Sequence, residues 1–175
     1  TVWDNRSSGM IISDLIKEEI RCWSKEVLEV PSENFEQLPP CPYAKQAWKK
    51  DKVKIHVTDD LSLATRIKKN NPPVDDKVEV IAWTDWNKMS ADEFDKWVDV
   101  QNDEHQGTWI IGFHPDHPED ANMDEFEGND SPEYAMVLVQ SLAHLSRASK
   151  KILKRGYYAK YSTPDIEHIK WRNAQ

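Results

Sequence analysis

The sequence predicts an α/β (or α+β) domain: a small, mainly parallel sheet of three or four strands with helices packed against it. Three observations carry this. Short apolar runs with strand periodicity alternate with stretches whose apolar residues recur at three and four. The connections between the runs are long enough to cross over and bring strands side by side in parallel. The 175 residues give room for one core and require no second domain.

Residues 1–9 are polar and read as loosely held. From Ile12, the positions Leu15, Ile16, Ile20, Trp23 and Val27 form one apolar stripe, an amphipathic helix that ends before Pro31. Ser32 to Pro40 reads as a loop. Pro42 suits a first helical position, which makes Cys41 the N-cap. A thiol there would meet the positive end of the helix dipole and lose its proton more readily; the alternative is a small residue buried in a tight entry turn. Val53, Ile55 and Val57 alternate with Lys54 and His56, so a strand with His56 facing away from the core is expected. Leu61 to Lys69 reads as a short helix stopped by Asn70-Asn71-Pro72-Pro73, and Val78 to Trp83 as the next strand. Ser90 and Glu93 have the spacing of a capping box and start a helix carrying Phe94, Trp97 and Val98.

Thr108 to Asp120 is the stretch of greatest chemical interest. Trp109, Ile110, Ile111 and Phe113 leave no polar face, as in a strand covered on both sides, and Gly112 lets a neighbour pack close. His114 and His117 follow, held out of helix by Pro115 and Pro118. A buried strand leading into a stiff polar tip is a common way to aim functional groups. Residues 119–130 form an acidic loop, which reads as a solvated surface or as a source of oxygen ligands for a hard cation. Ser131-Pro132-Glu133 is expected to cap one long helix with Tyr134, Leu138, Leu142, Leu145 and Ile152 on its buried stripe and His144 beside it. Arg147, Lys150, Lys151, Lys154 and Arg155 suit the negative end of that helix, and a terminal helix opens at Thr163-Pro164 and contains Trp171.

Net charge is −8 and pI near 5.2, which argues against nucleic acid and anionic membranes as partners. No run approaches the roughly 20 apolar residues of a bilayer span, and the start lacks the order of a secretion signal, so a soluble, cytoplasmic protein is expected. Cys22 and Cys41 are too few for a disulfide scaffold.

The segments Cys41-Pro42-Tyr43-Ala44, Phe113-His114-Pro115 and Asn129-Asp130-Ser131-Pro132 occur in that order. In this the chain resembles the bacterial domain of unknown function 1415, whose members carry a CPFA segment, an FHP segment, an acidic loop and an Asn-x-Ser-Pro helix start. The resemblance covers most of residues 15–155 and implies a shared site that includes Cys41 and His114, without supplying a reaction. His117 stands where the family has Tyr, Asp130 where it has Arg, and the following helix lacks the family's His. A two-histidine metal site is therefore not a shared feature.

Two functions compete. The first is a small enzyme in which Cys41 and His114 converge. Cys41 would be a nucleophile with His114 as its base, or Cys41, His114 and His117 would ligate zinc or iron with Asp116 or Glu119 as general base; its partner would be a small-molecule substrate. The second is a non-catalytic module that holds a protein partner or an organic ligand on the acidic loop and exposed tryptophans among Trp3, Trp23, Trp48, Trp83 and Trp86.

Overall fold

The structure is a computed structural model that describes residues 5–119 and 131–175, with side chains from residue 11 onward. Trp3 and most of the acidic loop, including the Asn129-Asp130 pair, lie outside the described residues. Helix α1 spans Asn5–Trp23, beginning before the apolar stripe that starts at Ile12. Its last turn widens into a π-helix at Ser24–Leu28, closed by Glu29 N–H donating to the Ser24 carbonyl at 2.9 Å. Short helix α2 (Ala44–Lys49) leads into β1 (Val53–Thr58), α3 (Ser62–Asn70), β2 (Val78–Trp83) and α4 (Ala91–Asp103). The capping box at Ser90 and Glu93 is present. Strand β3 (Thr108–Phe113) is followed by β4 (Ala135–Ser141), α5 (Leu142–Leu153) and α6 (Thr163–Asn173).

The α/β class holds, whereas the expectation of a mainly parallel sheet does not. Strand order is β1-β2-β4-β3; β1 and β2 pair in parallel, and β4 runs antiparallel to both β2 and β3. β4 is the strand missed when residues 131–152 are read as one helix. Ala135 to Val139 is an unbroken apolar run, and Tyr134, Leu138 and Leu142 fit helical spacing as well as they fit a strand buried on both faces. Ala135, Met136, Val137 and Val139 are all buried, as suits a strand paired on both sides and covered on both faces. The helix starts at Ser141, whose side chain accepts from the His144 N–H, while Ser131 bonds instead to Glu19 on α1. Strands β1, β2 and β3 do share one direction; β4 separates the last two.

Both faces of the sheet are covered. One carries Ile81, Trp83, Val137, Val139 and Ile110 against Leu61 and Ala64 near α3 and Phe94 of α4. The other packs Val80, Ala82 and Met136 against Ile16 and Ile20 of α1. A smaller cluster of Phe35, Leu38, Ile152, Tyr157 and Tyr158 ties the 32–43 segment to α5. β3 is covered on both faces but lies at the sheet edge, where Asn102 of α4 bonds both backbone groups of Ile110, at 2.8 and 2.9 Å. A side-chain amide thus stands where another strand would pair.

Candidate functional site

The His114 turn leaves the C-terminal end of β3 as expected, but its imidazoles are spent on the turn itself. Asp116 N–H donates to His114 Nδ1 at 3.1 Å, which places the His114 proton on Nε2. From there it donates to the carbonyls of Met89 at 2.9 Å and Trp86 at 3.3 Å. His117 Nδ1 accepts from the His114 N–H at 3.0 Å, and its Nε2 faces Asp95 Oδ1 at 2.7 Å. A metal ligand needs an unshared nitrogen lone pair, and backbone N–H groups occupy both. His114 is buried against Phe94 and Trp86, while the exposed Asp116 contributes its backbone to the turn. Among the described residues no group of three His, Cys, Asp or Glu is placed to hold a metal ion, so Cys41, His114 and His117 do not form the expected ligand set.

Cys41 belongs to a different place. Its N–H donates to the Leu28 carbonyl at 2.9 Å, its carbonyl accepts from Ala44 at 3.1 Å, and Pro40 just before it accepts from the Tyr157 hydroxyl. Helix α2 begins only at Ala44, with Tyr43 in the capping position. The N-cap reading of Cys41 is therefore corrected, and so is its low thiol pKa. Burial pushes the thiol up, aided by the charge of Glu29, and bonds from the Tyr43 and Ala44 backbone only partly offset this. Both cysteines are free.

Cys41 lines a cavity of about 310 Å³ between α1, α2 and one sheet face. Ile20 and Trp23 cover it from α1, Val80, Met136 and Leu138 form its sheet wall, and Trp48 closes one side. Cys41, Gln140 and His144 bring polar atoms to walls that are mostly apolar, and Ser24, Tyr43, Gln46, Lys50 and Asp76 also border the cavity. His114 lines a separate, more open cavity with Glu19, Pro115 and Tyr134; Ile20, Trp23 and Met136 border both. His114 follows β3 at Phe113, whereas His144 follows β4 at Ser141, opposite Thr108. Five residue steps of strand, about 16 Å, separate those ends of the sheet.

The π-helix shapes the cavity wall. It brings Ser24 inward to donate to Glu29 at 2.6 Å and accept from Trp48 Nε1 at 2.8 Å, while the Arg21 guanidinium lies 4.6 Å from the centre of the Trp48 ring. Trp48 is thus fixed on two sides. Sequence reasoning passes over Gln140 because the apolar run of β4 fits a helix, whereas His144 does lie half-buried on a helix, α5. The chain matches no protein-family model, no curated protein and no solved structure.

Proposed function

We propose that this protein binds a small, largely apolar organic ligand in the Cys41 cavity. The single observation that carries the reading is the cavity itself: about 310 Å³, walled mainly by apolar side chains such as Trp23, Trp48, Val80, Met136 and Leu138, with Cys41, Gln140 and His144 among its polar groups. That volume lies at the lower end of the ~300–1,000 Å³ typical of ligand pockets, and many apolar walls with few polar groups is their usual chemistry. The apolar part of a ligand would lie beneath Ile20 and Trp23, with one hydrogen-bonding group toward Gln140 and His144. A protein-docking role has weaker support from the tryptophans, since Trp83 is buried in the core and Trp86 packs on His114.

A thiol-dependent reaction in the same cavity is a second reading, favoured by Cys41 and His144 lining it together. It requires His144, not His114, as base. The raised thiol pKa means that such chemistry would begin from the neutral thiol.

Titration with an uncharged solvatochromic dye such as Nile red tests the binding reading. One dye per chain should bind with quenching of tryptophan emission, and Ala47→Phe, which fills the cavity, should abolish binding while the fold persists. Dye binding that is absent in the wild type, or equal in the filled variant, would refute it.

A further inference from the structure

We propose that the groove between the end of α1 and α2 is a phosphate-binding site, separate from the apolar cavity. Arg21 and Lys25 stand four residues apart on α1 and its π-helical extension, and Lys45 and Lys49 stand four apart on α2. Such spacing puts each pair on one helix face. All four line one groove of about 520 Å³, with Trp48 and Glu29 as its other walls.

Glu29 does not neutralise this cluster. Its carboxylate is taken by Arg21 Nη1 and by the Ser24 hydroxyl, both at 2.6 Å, so its charge is matched by Arg21 and the three lysines are left over. Lys25, Lys45 and Lys49 are exposed, and no ion pair engages them among the described residues. In a chain of net charge −8, three unpaired lysines around one fixed guanidinium form a local reversal of sign. Like charges four apart on a helix repel when the groove is empty, and a multivalent anion between the two helices relieves both pairs at once. Arg21 is held against the Trp48 ring and by Glu29, which reduces the ordering cost of using its remaining donors on a ligand. Several mobile ammonium groups around one anchored guanidinium suit an oxyanion charged beyond a simple dianion, with oxygens on every side, which is the chemistry of a pyrophosphate group and sets it apart from sulfate.

Calorimetric titration of the intact protein with inorganic pyrophosphate at low ionic strength is the test. One pyrophosphate should bind per chain. Lys25→Ala, Lys45→Ala and Lys49→Ala should each weaken it about two- to fivefold, and the triple variant more than about tenfold. Lys150→Ala/Lys151→Ala on α5 should leave the affinity unchanged. Because the substituted lysines are exposed, the melting temperature should hold and Nile red binding in the cavity should persist, so the two readings fail separately. Absence of pyrophosphate binding, wild-type affinity in the triple variant, or equal binding of sulfate at matched ionic strength would overturn the proposal.

Discussion

Replacing Gly112 by alanine probes the packing that supports the His114 turn. A Cβ at this position in β3 would lie 2.7 Å from Cε1 of Phe94 and 2.9 Å from Cγ2 of Val98. Neither approach is tolerable without movement. Phe94 is fully buried, with the Trp83 and Trp97 rings stacked at 6.4 and 6.0 Å and the His114 ring at 5.4 Å, so it has little space into which to swing. Overpacking of this kind costs about 1–3 kcal/mol. Alanine recovers about 0.5–1 kcal/mol of the backbone entropy that glycine loses in a strand. The net loss is then up to about 2.5 kcal/mol, which at roughly 2–4 °C per kcal/mol for a chain of this size lowers Tm by up to about 10 °C. Calorimetry of Gly112→Ala, Phe94→Leu and the double variant supplies the measurement. The smaller side chain should relieve the clash, so the double variant should be more stable than additivity predicts by at least about 0.5 kcal/mol. A raised Tm in Gly112→Ala, or strict additivity in the double variant, would overturn this account.

Two further outcomes are expected. Asn102→Ala removes both bonds to the Ile110 backbone and exposes the edge of β3, so stability should fall by about 2–3 kcal/mol and self-association should appear at high concentration. Urea denaturation and light scattering check this; an unaltered midpoint with monodisperse scattering would contradict it. In a Cys22→Ser background, Cys41 should alkylate slowly at neutral pH and faster only in alkaline buffer, because burial raises its pKa. The sign of the linkage follows: a thiol whose folded pKa exceeds its unfolded value near about 8.5 stabilises the fold below that value, and the contribution is lost as pH rises through the folded pKa. Additional replacement of Cys41 by alanine should flatten that alkaline decline, and an equally steep decline would assign it to other groups.

Elements whose signals lie within a few residues are legible in the sequence. The alternation of Val53, Ile55 and Val57, the apolar stripe of α1 and the capping box at Ser90 each lie within a few residues, and the structure contains all three. The closeness implied by Gly112 is also present, with Phe94 filling the space. Tertiary structure decided what local pattern left ambiguous. Ala135 to Val139 is apolar at every position, so its periodicity cannot separate a buried helix from an interior strand; insertion between β2 and β3, which hides both faces, settles it and turns the sheet from mainly parallel to mixed. The candidate site moved for a related reason. His114 and Cys41 belong to the most distinctive segments of the chain, yet a lone pair is available for chemistry only if no backbone N–H claims it, and a thiol pKa falls only if the helix begins beside it. Those conditions depend on Asp116 folding back onto His114 and on α2 starting at Ala44. The cavity draws Trp23, Cys41, Trp48, Val80, Met136 and His144 from four separate stretches of chain, and no spacing in the sequence records that meeting because the sheet and α1 bring them together only after both have folded.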